Sequence, residues 1–460
     1  SEKILMEVAK GNWVGYQTEF YNLKTGNHSQ DINEVIDYTN LEIDPEGLAA
    51  YLDFGYSVFG HTPVKDVQYL LPNQVLHLEN GKLSIEEGND DTLKLLGKKS
   101  HEDDVLHKLN SALNNWADGF KDDILIPTSG GFDSRLMNVL LKDKNRIHAY
   151  TYGTSLNQDE SREAVYAGLL SKRLHTNWQR IPLGKFNVYM DQWYDQFGPA
   201  VAASGTYHME FYDKIKQLES GNPMQLLSGI IGDAWAGAVK VPMIDSAASY
   251  RTLGYTHGMS ADSKLAMDID YSSIVEPIYD RQKEHLDSPE YRIITAMRTK
   301  MMMLQYLISV PAKMGYPGYS PFVDEDIAIS MLNLPVERRE NRAWQRDFFR
   351  KNNLLFEEEK HKYTYQNSLN YYALLNETLT PLDVNLLKEC LNPEYLSWIN
   401  QKIMHIGRKE KFFQTLMHTP KVKGVLKLLG AKNDLLEAYF AYITIKPIET
   451  LLRKRNASII

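Results

Sequence analysis

Hydrophobic and polar positions alternate along two early stretches, residues 13–23 and 73–86. A period of two predicts strands with one covered face, and Asn80-Gly81 inside the second stretch predicts a tight hairpin. Between them, residues 44–56 read as a short helix with Pro45 near its start. Val105, Leu109, Leu113 and Trp116 then recur at helical spacing, with acids in the first turn and Gly119 as the stop. From residue 124 the pattern changes again. Apolar residues 124–126 lead into a Gly-Gly turn, and the apolar positions of residues 136–141 predict a helix. Residues 146–153 predict a second strand, 159–175 a second helix, and 225–237 a third strand ending in a glycine-rich turn. Strands alternating with helices predict an α/β fold: a parallel sheet with helices on both faces. From about Phe356 onward helical periodicity dominates. The expected organisation is a small, mainly β segment at 1–95, an α/β domain at 96–355 and a helical, basic extension at 356–460.

Composition narrows the class. The chain has 460 residues, 43% hydrophobic and 24% charged, enough apolar material for a large core. A disordered, collagen-like or long coiled-coil chain is excluded. No apolar run reaches the ~18–20 residues of a membrane span, and no signal-peptide pattern opens the chain. The single cysteine, Cys390, cannot form an internal disulfide or a cysteine-based zinc site. These features predict a cytoplasmic protein. The net charge of -8 is unevenly spread, because residues 401–460 hold 12 Lys and Arg against 4 Asp and Glu. Two readings stay open: solvated lysine-rich helix faces, or contact with an anionic partner such as the inner face of a membrane. No nucleic-acid module is recognisable, so no specific nucleic-acid partner is expected.

The informative motif is Ser129-Gly130-Gly131-Phe132-Asp133-Ser134. It joins an apolar strand to an apolar helix. Glycines let a ligand approach the backbone, and the next helix offers free N–H groups and a partial positive charge to an anion. Ser129 and Ser134 add hydroxyls. Asp133 beside a phosphate site makes sense when a Mg²⁺ ion sits between them. The spacing lacks the lysine of a Walker A loop.

These residues resemble the pyrophosphate loop of the ATP pyrophosphatases, and the chain resembles their asparagine synthetase and β-lactam synthetase branch over most of residues 45–350. Residues 150–170 look like that branch's second strand and helix, 226–237 like its S-G-x-G-x-D turn, and 315–335 like its P-F-L-D segment with Pro321, Phe322 and Asp324. Residues 47–82 look like the end of its amidotransferase domain, and 342–351 like its cation-bearing segment. The resemblance implies an adenine nucleotide α-hydrolase-like fold and a ligase that adenylates a carboxylate with Mg²⁺-ATP and then forms an amide. It implies that Ser129, Gly130, Gly131 and Ser134 cradle the β- and γ-phosphates. The backbone of Tyr152 and Gly153 would hold the adenine, and Ser228 and Gly229 would lie beside the ribose and α-phosphate. Asp133 and Asp233 would hold the metal. Arg346 stands where the family has a lysine that offsets charge in the transition state, and Arg350 matches the arginine that follows.

The departures are as telling. The chain begins with Ser1, read as a cloning remnant, and Ser129 has only 128 residues before it. Glutamine-dependent relatives begin with a catalytic cysteine on a longer domain, so a shortened domain without glutaminase activity is expected. The amine must then arrive as ammonia or as an amine substrate. The positions of the family's proton-accepting pair are Ile230 and Pro317, which leaves Tyr316, Tyr319 and His208 as alternative bases. The acid is expected to be a small molecule or a glycan uronate. Cyclisation of a precursor peptide, β-lactam closure and an inactive scaffold are the alternatives. A sulfur-transferring relative is disfavoured by the lone cysteine.

Overall fold

In the computed structural model, residues 5–256 and 258–460 are described, so Ser1 lies outside the described residues. Eleven strands among them form three sheets. Two are small and antiparallel. One is built from β1 (Met6–Lys10), β5 (Gln74–Glu79) and β6 (Lys82–Glu87) in the order β1-β5-β6; the other from β2 (Phe20–Asn22), β3 (His28–Ser29) and β4 (Val67–Tyr69) in the order β3-β2-β4. The hairpin between β5 and β6 turns at Asn80 and Gly81, whose φ values of 50° and 77° suit a two-residue primed turn.

The first alternating stretch differs from its sequence pattern. Only Phe20–Asn22 is strand, while residues 13–19 form a turn with Gly15 at φ 85° and Gln17 at φ 57°. Tertiary bonding explains the difference. The Trp13 indole N–H donates to the Val323 carbonyl at 2.8 Å, and its ring packs 5.7 Å from that of Trp235. The start of the stretch is thereby held against the segments that follow β10 and β11, and only its end joins a small sheet.

The large sheet is parallel and has five strands: β7 (Asp123–Pro127), β8 (Ile147–Thr151), β9 (Asn177–Arg180), β10 (Met224–Leu227) and β11 (Gly318–Tyr319). Their order is β11-β10-β7-β8-β9. Ile124, Leu125, Ile126, Leu226 and Leu227 are fully buried, as expected of strands covered on both faces. Helices Phe132–Leu140 and Arg162–Leu174 follow β7 and β8. The chain then reverses direction across the sheet, and helices Thr206–Glu219 and Tyr306–Lys313 precede β10 and β11. Right-handed crossovers put these two pairs of helices on opposite faces. The reversal also makes β7 and β10 neighbours at a topological switch point, the place where open parallel sheets bind ligands beyond their strand ends.

Helix Pro45–Phe54 has Asp44 as N-cap, Pro45 in its first turn and Gly55 at φ 78° as its stop. Helix Glu102–Asp118 carries its three acids in the first turn. Among the described residues after Phe356 there are helices and no strand, ending in the long helix Asp434–Ser458. One buried cluster runs from Val14 through the large sheet to Leu452. Tyr51 of the first helix donates to the Thr444 carbonyl of the last at 2.7 Å. No helix among the described residues is long and apolar enough to cross a membrane.

Candidate active site

The loops that leave β7 and β10 meet at the switch point. The Asp233 backbone N–H donates to Asp133 Oδ2 at 2.8 Å. The other oxygen, Asp133 Oδ1, is buried and has no hydrogen-bond partner. The Asp233 side chain is exposed. Burial, and secondly the Asp233 carboxylate, push the Asp133 carboxyl well above its usual range. Two acids are thus held together with an acceptor oxygen left over, in the mouth of a parallel sheet. A Mg²⁺ ion fits that donor set: it takes carboxylate oxygens and keeps its remaining positions for water or phosphate. No group of three or more metal-ligating side chains occurs among the described residues.

The close approach of the loops needs glycine. A Cβ on Gly229 would stand 2.9 Å from Asp133 Cβ and 3.2 Å from the Ser134 nitrogen. A Cβ on Gly232 would stand 2.6 Å from the Phe322 ring and 2.8 Å from Asp133 Oδ1. Between them Ile231 sits at φ 57°, a left-handed conformation that is costly for a β-branched residue. Such strain persists where surroundings enforce it, commonly at working sites. Here the enforcing contacts are visible. The Trp235 indole donates to the Phe322 carbonyl at 2.9 Å, anchoring the short helix that presents Asp233. The P-F-V-D segment therefore positions the acid through the Phe322 ring and carbonyl. Asp324 itself accepts from Tyr319 Oη at 2.6 Å.

The serines of the first loop organise one another. The Ser129 N–H donates to Ser134 Oγ at 3.0 Å, and the Gly131 N–H donates to Ser129 Oγ at 3.0 Å. Gly131 is the N-cap of helix Phe132–Leu140, so the free end of that helix opens at the loop. Ser228 is buried, and its Oγ accepts from the Ile230 N–H at 3.2 Å. Tyr152 and Gly153 follow β8, next to the loop in the sheet order. A Cβ on Gly153 would stand 2.4 Å from the Gln158 carbonyl oxygen, so this glycine serves the chain's own tight return.

The cations sort themselves by pairing. Arg338 is bonded to Glu102 and Asp347, Arg339 to Glu290, and Arg350 to Asp347 and Glu358. Arg350 is thereby committed to surface ion pairs. Arg346 and Arg342 have no ion pair or hydrogen bond among the described residues. Their guanidinium carbons lie 5.9 and 4.3 Å from the centre of the Phe132 ring. Arg342 is the nearer, and it lowers the pKa of Asp133. Lys300 is a third unpaired cation, half-buried and within electrostatic reach of Asp233. The resemblance singled out Arg346 and Arg350, of which Arg350 is taken up by surface pairs. Arg342 and Lys300 come close only through packing.

The alternative bases fare differently. Burial pushes His208 down to about 3, so it is neutral at pH 7, with Nε2 3.3 Å from Tyr152 Oη. Tyr319 is committed to Asp324, and burial raises Tyr316. Ile230 is buried, and no carboxylate stands at its position or at Pro317.

No protein-family model matches this sequence, and no curated protein matches it. Among solved structures the chain is similar to the NH3-dependent NAD synthetase from Campylobacter jejuni, at 13% identity and a TM-score of 0.25. That similarity covers 45% of this chain and 95% of the other. It is also similar to the glutamine-dependent NAD+ synthetase from Acinetobacter baumannii, at 14% identity and a TM-score of 0.24. There it covers 62% of this chain and spans about half, 52%, of the other.

Proposed function

We propose that the chain is an ATP-dependent, AMP-forming ligase. It adenylates a substrate carboxylate and passes the acyl group to an amine or ammonia. The observation that carries this reading is the meeting of Asp133 and Asp233 at the switch point, beside a Ser-Gly-Gly loop that opens onto a helix N-terminus.

The chemistry follows from the parts. The loop N–H groups, the serine hydroxyls and the helix end favour the β- and γ-phosphates. A carboxylate oxygen of the substrate attacks the α-phosphorus. The bond to the bridging oxygen breaks, and pyrophosphate leaves with the electron pair. Arg342 and Arg346 offset the charge that builds on it. Mg²⁺ held by Asp133 and Asp233 would supply further charge neutralisation. An amine nitrogen then attacks the acyl carbon, the bond to AMP breaks, and the amine proton passes to solvent or phosphate. The acid is a small molecule or a glycan unit in this reading. The test is calorimetric titration with ATP, with and without Mg²⁺, on wild type and Asp133→Ala, followed by assays for AMP and pyrophosphate. Metal-dependent binding that disappears in the variant is expected. Binding that ignores both metal and mutation would sink the proposal.

A second reading concerns the C-terminal helices. Phe412, Val425, Leu428 and Leu429 are 57–89% exposed. Residues 405–433 carry seven Lys and Arg and one acid, Glu410. Apolar side chains ringed by unpaired lysines suit an anionic membrane surface. The chain would then meet its substrate at a membrane.

A further inference from the structure

A cavity of about 300 Å³ lies beyond the end of β8. Its walls come from all along the chain: the turn after helix Pro45–Phe54, the start of helix Thr206–Glu219, and the long helix Asp434–Ser458. Tyr152 belongs both to this cavity and to the strand end beside the pyrophosphate-type loop. So does one face of helix Pro289–Leu304 in another sense. Met303 and Leu304 line the cavity, and Lys300, one turn earlier on that face, reaches electrostatically to Asp233.

The lining has a definite chemical character. None of the described residues that form it carries a charge. Seven are aromatic. Tyr152, Tyr207 and Tyr306 pack edge to face around His208, with ring centres 4.6–5.6 Å from the histidine. Such walls accept another ring. Four polar side chains in the lining, Thr206, Thr256, Asn367 and Asn370, make no side-chain hydrogen bond among the described residues, and of these Asn367 is exposed. Thr256 is 7% exposed, and its hydroxyl is buried without a hydrogen-bond partner. A buried hydroxyl left unpaired is costly unless a ligand completes it.

We propose that this cavity binds the body of the acyl substrate, and that this body is an uncharged, hydroxyl-bearing ring. The inference deepens the ligase reading and rests on it for the role of substrate. The ring packs on the tyrosines, and its hydroxyls complete Thr256 and Asn370. Its single carboxylate points along the helix face towards Lys300 and the two aspartates. A second charge on the ring would be buried without a partner, and the cavity rejects it.

The test uses two acids of one shape: 4-hydroxyphenylacetate, and 4-carboxyphenylacetate with a second charge in place of the hydroxyl. Binding is read by ligand-observed NMR on wild type, Ser204→Trp and Thr256→Val. Mg²⁺-ATP binding is read by calorimetry on the same samples. Ser204 lines the cavity and is partly exposed, so tryptophan there fills the space. The hydroxy acid should bind wild type at least about tenfold more tightly than the dianion. Ser204→Trp should abolish that binding, and Thr256→Val should weaken it about fivefold. Neither variant should change ATP affinity. Equal binding of the two acids, or full retention in both variants, overturns the inference. Loss of ATP binding in Ser204→Trp also overturns it, because the adenine would then be the occupant. If tryptophan prevents folding, Thr256→Val decides. Wild type that binds ATP but not the hydroxy acid defeats the cavity inference and spares the ligase reading. Wild type that binds the hydroxy acid but not ATP does the reverse.

Discussion

Arg135 and Glu357 form a bidentate ion pair at 2.8 and 3.0 Å, and Arg135 also donates to the Gly130 and Leu354 carbonyls at 2.8 Å. The arginine side chain is 2% exposed. It lies two residues past Asp133 and ties the Ser-Gly-Gly loop to the segment that follows the last helix of the α/β region. Phe132, Tyr166, Phe349 and Phe356 surround its guanidinium, with ring centres 4.6–5.7 Å away. Removing one partner leaves a buried charge without compensation. Glu357→Ala is therefore expected to lower stability by about 3–5 kcal/mol, and Arg135→Met with Glu357→Leu to recover most of it. Urea unfolding of the three proteins measures this. An unchanged midpoint in Glu357→Ala would show that the pair does not hold the loop.

Arg342 makes a sharper prediction because its backbone and its side chain pull in opposite directions. It sits at φ 54°, after Asn341 at φ 51°, and starts the helix Ala343–Lys351. A left-handed arginine costs ~1 kcal/mol relative to glycine. Arg342→Gly should hold or raise stability by about that much while lowering ATP affinity and pyrophosphate release. Arg342→Lys should keep part of the activity. A glycine variant with wild-type pyrophosphate release would remove Arg342 from the site.

Much of this site was legible in the sequence, and the limit has a physical cause. Local signals place the Gly-Gly turn between strand and helix and a glycine-rich turn after the third strand; that Gly229 and Gly232 let two loops touch shows only in the structure. Alternation of strands and helices implies the parallel sheet, but not that the strands before Asp133 and Asp233 are neighbours; the resemblance alone paired the two acids, and the strand order β11-β10-β7-β8-β9 brings their loops together. Strands β9 and β11 escaped notice because they are short and carry no alternation. Residues 13–23 misled for the opposite reason: the alternation is real, but Trp13 spends it on the Val323 carbonyl. Arg342 and Lys300 carry no local mark at all. Their meaning lies in having no partner while their neighbours have one, and pairing is a tertiary property.

Gly229 tests the meeting of the two loops directly. An alanine methyl there would push against Asp133 and the Ser134 nitrogen at 2.9–3.2 Å. The backbone must part, since neither neighbour is the end of a flexible chain. Gly229→Ala is expected to cost about 1–3 kcal/mol in stability and to lower Mg²⁺-ATP affinity more than a comparable core substitution elsewhere. Calorimetry beside a denaturation curve separates the two effects. A variant that binds ATP normally would show that the loops need not touch.

Asp133→Asn keeps the acceptor for the Asp233 N–H and removes a buried charge that the neighbouring Asp233 carboxylate opposes. The fold is therefore expected to be as stable as wild type or more so. Turnover should fall about 10²–10³-fold, the order seen when one transition-state charge contact is lost. Mg²⁺ should no longer raise the melting temperature in the presence of ATP. Near-normal release of pyrophosphate would show that Asp133 is structural.

The exposed apolar residues of the C-terminal helices give the last prediction. Leu428 and Leu429 are 89% and 78% exposed, next to Lys423, Lys427 and Lys432. Acids placed there touch no core, so Leu428→Asp with Leu429→Asp should leave the melting temperature unchanged. The wild-type chain should sediment with vesicles containing phosphatidylglycerol, more weakly as salt rises, and stay in solution with phosphatidylcholine alone. The double variant should stay in solution with both. Lysine charge alone predicts that the leucine variant still sediments in part at low salt, whereas insertion predicts its loss at every salt concentration. Equal sedimentation of wild type and variant would assign these leucines to another partner, and the basic residues of 401–460 to ordinary solvation.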